Sequence, residues 1–369
     1  MKCSVARKSL LDGLSAVGMV ASSQPMGYQH VLLQAGTDGF LQLECTDGSM
    51  SIRYRVPVES VDEPGVAVVP VQKLTSVTKE CHTDSLQIQT DEVGKTKVRS
   101  GRSLFQLLGE RAEDFPTLAE FPTENAFGMD RARLLHLMEK TQFAVARERS
   151  RFAFNGAKLE ISGTDARMIA TDGKRLATKV ILIDNSDGVE ASPIIPVHAL
   201  QVFERVLGEE DDRVQLALDD THVKLQTSRA FVSAPLLVGR FPDYRKVVPQ
   251  DCPIRIAFDR QELIQAFRQA ALFITEETRS VRFRLENGQL SIQAQALDAG
   301  EATVELDAPD YTDEQPFAIS LNPQFMVDGL KVMDSDRAVI ELTSPNNPVK
   351  VTGEPDFVYV VMPVTMRNG

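Results

Sequence analysis

Three segments of this 369-residue chain begin alike: VARKSLLDGL from Val5, MDRARLLHLM from Met129 and FDRQELIQAF from Phe258. Each sets a basic residue ahead of apolar residues at i, i+1 and i+4: Leu10, Leu11 and Leu14; Leu134, Leu135 and Met138; Leu263, Ile264 and Phe267. That is the stripe of an amphipathic helix. A second landmark follows at the same interval. VAVVPVQKLTSV, PIIPVHALQVF and ISLNPQFMVDGL are strand-like runs that end at Pro70, Pro196 and Pro323 and open another helical stripe. Proline suits a helix start, where its fixed φ is pre-organised and its missing N–H costs nothing. RSGRSLFQLLGERAEDFP, QTSRAFVSAPLLVGRFPDY and TGEPDFVYVVMP close each copy with a small-residue turn feeding an apolar strand.

Three landmarks in one order at one spacing mean three copies of a domain-sized unit. The copies divide at 1–124, 125–250 and 251–369. Between landmarks, FLQLECTDGSMSIRYRVPV, KLEISGTDARMIATDGKRLATKVILI and QLSIQAQALDAGEATVELDA alternate or run β-branched, as antiparallel meanders with tight turns do. Each copy therefore reads helix, strands, helix, strands: an α+β fold with two helices packed on antiparallel sheet.

With 43% hydrophobic and 25% charged residues the chain has the composition of a soluble globular protein. No apolar run reaches the roughly 20 residues of a membrane span, and the start lacks a signal-peptide core, so the expectation is a cytoplasmic protein. Four scattered cysteines and five scattered histidines show no metal-ligand spacing, and neither a metal nor another cofactor is expected. The net charge of −12 argues against a simple DNA-binding module. The charge is unevenly spread, however. The six helical stripes, with the arginine-rich extension of the third, hold fourteen cations against nine acids, so the acid is concentrated elsewhere.

ATDGKRLA, from Ala170 to Ala177, looks at first like a phosphate or carboxylate site built from Asp172, Lys174 and Arg175. The repeats answer otherwise. It aligns with CTDGSMSI from Cys45 in the first copy and with ALDAGEAT in the third, so Asp172 shares its place with Asp47 and Asp298 in a connection between strands. Only the two cations are peculiar to the second copy.

ATDGKRLA, GRFPDYRKVVP from Gly239, VRSGRSLF from Val98 and YVVMPV from Tyr359, together with the three repeats, make the whole chain resemble the bacterial DNA polymerase III beta subunits, the sliding clamps. The resemblance implies a homodimer closed head to tail into a ring. Helices would line a hole around double-stranded DNA held without regard to sequence, and there would be no catalysis. It implies that DNA polymerase III, other polymerases, the clamp loader and repair proteins attach by short peptide motifs. Carried over, the peptide pocket comprises Phe154, Thr171, Gly173, Lys174, Arg175, Leu176, Pro242, Lys246, Val247, Asn322, Phe325, Met362, Pro363 and Val364, with Lys174 and Arg175 at its rim. The family's histidine in the first motif is Lys174 here, and the chain continues past Val364 for five residues.

On the same resemblance the DNA-facing cations are Arg7, Lys8, Lys73, Arg131, Arg133, Lys140, Arg147, Arg149, Arg151 and Arg268. Phe105 and Leu107 of one copy would meet Leu272 and Phe273 of the other. Two other readings compete. One is a phosphate- or carboxylate-handling enzyme using Asp172, Lys174 and Arg175, which would stand without any GxxxxGK[ST], HExxH or GxSxG motif. The other is a three-domain scaffold that binds only proteins.

Overall fold

Both helical stripes of every copy fold as helices in the computed structural model. It describes residues 1–21, 28–91, 94–122, 126–146, 154–185, 188–275, 279–296, 300–313 and 315–364. The helices are α1 (Arg7–Val17), α2 (Val71–Glu80), α3 (Arg131–Thr141), α4 (Val197–Val206), α5 (Arg260–Ala270) and α6 (Pro323–Lys331). The predicted stripe residues Leu10, Leu14, Leu134, Met138, Leu263, Ile264 and Phe267 are buried. Pro323 is the first residue of α6, and the Asn322 side chain before it accepts from the amides of Gln324 and Phe325. Pro70 and Pro196 stand one place earlier, immediately before α2 and α4. A strand not foreseen leads into the first helix of each copy: Lys2–Ala6, Ala126–Asp130 and Ile254–Asp259. Each is only five or six residues long, too short for alternation alone to announce it.

The described chain falls into two compact units that divide the middle repeat between them. Residues 1–134 and 198–236 form the first, with two antiparallel sheets. One runs Ser60–Glu63, Lys2–Ala6, Ser85–Thr90, Lys95–Ser100, Ser103–Leu108. The other has eight strands, in which Ser51–Pro57 of the first repeat pairs with Ala230–Pro235 of the second, Ile52 opposite Val232. Here α1 packs on Phe40–Thr46 and Ser51–Pro57. The contact is close enough that a Cβ on Gly13 would lie 2.6 Å from Val56 Cγ2.

Residues 135–197 and 237–369 form the second unit. Its eight-stranded sheet joins repeats in the same way: Arg175–Leu182 pairs with Phe357–Val361, Leu176 opposite Val360. A four-stranded sheet runs Gly300–Asp307, Gln289–Ala296, Val281–Glu286, Phe317–Leu321, and α5 packs against its first two strands and against α6. Pairing strands across repeats removes edges that would otherwise be open to other chains.

Candidate functional site

The Thr-Asp-Gly turns of the first and second repeats are the same structure. In the second, Asp172 Oδ1 accepts from the amides of Lys174 (2.9 Å) and Arg175 (3.0 Å). Thr171 Oγ1 donates to Arg175 O (2.6 Å) and accepts from Gly173 N (3.1 Å). In the first, Asp47 Oδ1 accepts from Ser49 N (2.8 Å) and Met50 N (2.7 Å), and Thr46 Oγ1 bonds Met50 O and Gly48 N at 2.7 and 3.0 Å. Gly48 and Gly173, at φ 94° and 84°, occupy the left-handed region that the turn requires. The third copy's Asp298 lies outside the described residues. Asp172 is therefore a turn-forming aspartate.

Its second oxygen is held as well. Asp172 Oδ2 accepts from Arg175 Nε at 3.1 Å. Arg175 is only 7% exposed: Nη1 donates to Asp328 Oδ2 on α6 at 2.7 Å and Nη2 to Phe143 O at 2.8 Å. The guanidinium also stacks 4.5 Å from the Phe325 ring. Each of its three nitrogens has a partner inside the fold, so Arg175 borders the cleft as expected and also braces the turn against α6. The same geometry pairs Asp172 with Arg175 inside the turn, and Arg175 is shared with Asp328.

A cleft opens beside this turn. It is lined by eight of the expected residues: Phe154, Thr171, Gly173, Arg175, Leu176, Pro242, Val247 and Met362. Tyr244 and Val360, which had not been expected, complete the wall. Beneath it Ile169, Leu176, Tyr244 and Val360 form a buried cluster with Phe241, Val248 and Val358 packed around it. The Tyr244 hydroxyl is fixed between Arg167 Nη1 (3.1 Å) and Glu160 Oε2 (3.0 Å), and burial pushes its pKa up. About 90 Å³ of free space is well below the roughly 300–1,000 Å³ of sites that engulf a small molecule, but it suits an apolar side chain.

Six expected pocket residues do not line the cleft. Asn322 caps α6, Phe325 covers Arg175, and Val364 N donates to Ser320 O at 2.8 Å. Pro363 is half-buried beside it. Lys246 is exposed and pairs with Asp243 at 3.2 Å. Lys174 is exposed at the lip, its carbonyl accepting from Met362 N at 2.8 Å. The five residues after Val364 lie outside the described ones.

Lys140, expected to face DNA, is corrected. It is 2% exposed, and its ammonium sits 3.0 Å from both Asp334 Oδ2 and Glu354 Oε1 while donating to Val332 O. Lys179 adds a second cation 3.6 Å from Glu354. His136, Asp334 and Glu354 offer ligand atoms close enough for a metal, but the Lys140 ammonium already holds both carboxylates. Lys8, Lys73, Arg133 and Arg268 are exposed on their helices, and Arg7 and Arg131 are half-buried. Arg147, Arg149 and Arg151 lie outside the described residues.

Of the expected dimer residues, Leu272 is 77% exposed and Phe105 and Phe273 are half-buried. Leu107 is corrected: it is 5% exposed, because the alternation of its strand turns it inward. Its neighbours Leu104 and Leu108, 52% and 69% exposed, face out from the same edge strand.

Known proteins carry the same plan. The N-terminal, central and C-terminal domains of the DNA polymerase III beta subunit match residues 1–119, 129–243 and 245–365. The beta sliding clamp of Pseudomonas putida is 32% identical over 370 aligned positions, covering 99% of this chain and all of the relative. That of Chlamydia muridarum is 30% identical with both chains fully covered. A crystal structure of the Pseudomonas aeruginosa sliding clamp bound to griselimycin superposes with a TM-score of 0.90 at 31% identity, covering 99% of this chain and 100% of that one. The clamp of Bacillus subtilis, at 22% identity and also TM-score 0.90, shares the fold over 99% of each chain. This chain belongs to the DNA polymerase III beta subunit family, the beta sliding clamps.

Proposed function

We infer that this protein is a DNA polymerase processivity factor. It is a sliding clamp that encircles duplex DNA and tethers polymerases, the clamp loader and repair proteins by short peptides seated in the cleft. The observation that carries this reading is kinship with sliding clamps over essentially the whole length, with the apolar cleft intact. The role is non-catalytic: the one acid of the Asp-Gly-Lys-Arg stretch is held by its turn and by Arg175. Divisions near residues 124 and 250 separate three clamp domains, and the protein works in the cytoplasm. No helix among the described residues is long and apolar enough to cross a membrane.

Two copies close head to tail. The edge strand Ser103–Leu108 offers Leu104 and Leu108 beside the exposed cations Lys95, Lys97, Arg99 and Arg102. The edge strand Gly300–Asp307 offers the exposed acids Glu301, Glu305 and Asp307, and the short turn Ala271–Phe273 that carries exposed Leu272 packs against it. Open edges of opposite charge on different strands favour a heterologous contact over a self-complementary one. Lys8, Lys73, Arg133 and Arg268, with Arg7, Arg131, Arg147, Arg149 and Arg151, contact phosphates without reading bases.

The test is to load the protein on nicked circular DNA with a clamp loader and then linearise the circle. Release on linearisation supports a topological link. Persistence on linear DNA refutes the ring, and failure to load with a competent loader leaves the protein-only scaffold as the better reading.

A further inference from the structure

The charges around the cleft do not cancel. Asp172 and Asp328 are both bound to Arg175, at 3.1 and 2.7 Å, and Asp243 to Lys246 at 3.2 Å. Glu160 holds Lys158 at 2.8 Å and Arg245 at 3.0 Å. Lys174 is different. It stands between two lining residues, Gly173 and Arg175, and its side chain makes no ion pair or hydrogen bond among the described residues, whereas its backbone is pinned on both sides. Lys174 N donates to Asp172 Oδ1 (2.9 Å) and Lys174 O accepts from Met362 N (2.8 Å). The result is an exposed ammonium, unpaired among the described residues and anchored by its main chain at the mouth of an apolar slot.

We propose that Lys174 is a specificity-determining residue of the cleft, selecting peptides that carry an acidic residue next to their apolar anchors. This rests on the peptide-binding reading and adds a charge requirement to it. A flexible lysine stem lets one point charge meet a carboxylate at more than one register, which suits a site that accepts several sequences. The slot supplies affinity through burial, and the lip supplies discrimination. A DNA phosphate is the other anion such a lysine could meet. The peptide is favoured because the backbone of Lys174 is bonded to Met362 and lies in the turn leading to Leu176 and its strand partner Val360, the apolar walls of the cleft.

The experiment uses the full chain and fluorescent synthetic peptides bearing leucine and phenylalanine anchors, with a single Glu or Gln moved through the positions beside them. The expected result is one position at which Glu binds roughly two- to fivefold tighter than Gln at low ionic strength. That preference should shrink with added salt and vanish in Lys174→Gln, while the Gln peptide binds both proteins equally. Equal binding of the Glu and Gln peptides at every position, or a preference that survives in Lys174→Gln, overturns the proposal while leaving the cleft a peptide site. Binding of neither peptide overturns both readings. Loss of DNA retention in Lys174→Gln, with peptide preference unchanged, assigns the lysine to DNA and also overturns it.

Discussion

Replacing Lys140 by Met separates a buried bolt from a DNA contact. The Lys140 ammonium is held between Glu354, itself 6% exposed, and Asp334. Taking one partner from a buried pair typically costs about 3–5 kcal/mol, because the other charge is left without compensation. Here Glu354 keeps Lys179 at 3.6 Å and the Asp334 amide at 2.6 Å, and methionine fills most of the lysine stem's volume. The lower figure, about 3 kcal/mol, is therefore expected; Asp334 is 69% exposed and adds little. In a unit of this size that loss lowers Tm by roughly 6–12 °C. Thermal and urea unfolding of the full chain provide the assay, following the transition of the unit that contains α5 and α6. Lys140→Met with Glu354→Gln should cost much less than the sum of the single changes, because neither leaves a buried charge unpaired. A loss below about 1 kcal/mol, or strictly additive variants, would refute the bolt. A fall in the salt dependence of DNA retention by about one phosphate contact would restore Lys140 to the DNA surface.

Other consequences can be checked by ordinary means. Burial first, and then the Lys140 charge, hold the His136 pKa below its usual 6.5. As pH falls below 6.5 the unfolded chain therefore binds the proton more readily than the fold does, and His136 costs stability progressively until its folded pKa is passed. His136→Gln should flatten the urea midpoint against pH across that interval; an unchanged slope would refute it. Gly329→Ala should destabilise by about 1–3 kcal/mol in urea titration although alanine is the better helix former, since its Cβ would meet the buried Tyr359 ring at 2.3 Å. Asp47→Ala should cost about 1 kcal/mol in the same assay. Asp172→Ala should cost roughly twice that, because it also strips a partner from the buried Arg175. In thiol titration at neutral pH, Cys252 should react well ahead of Cys3 and Cys45, which are buried with pKa values pushed up to about 11 and about 12.

The helices were legible because each carries its apolar stripe within ten or so residues, and the three copies reinforced one another. The cleft was legible in part. Leu176, Val247 and Met362 are apolar residues inside recognisable motifs, but Val360 reaches the wall only because strand register sets it opposite Leu176. Tyr244 reaches it because Arg167 and Glu160, far away in sequence, satisfy its hydroxyl. Lys140 misled for a related reason. A helical lysine is normally solvated, and the groups that bury this one come from a segment 192 residues later. Leu107 was misplaced by a single step of alternation, since a strand reports that its faces differ before it reports which one is covered.

The pairing of Arg175–Leu182 with Phe357–Val361 also sets an order of events during synthesis. Leu176 must wait about 180 residues for Val360, so the middle repeat emerges from the ribosome with one strand edge unsatisfied. Local helices and hairpins can form at once, while this long loop closes late and slowly. The cleft's far wall, Val360 and Met362, arrives with that same late strand. A nascent or truncated chain that has not reached Phe357 can fold much of its sheet while the cleft still lacks Val360 and Met362, so a completed cleft itself reports that translation has passed the last repeat.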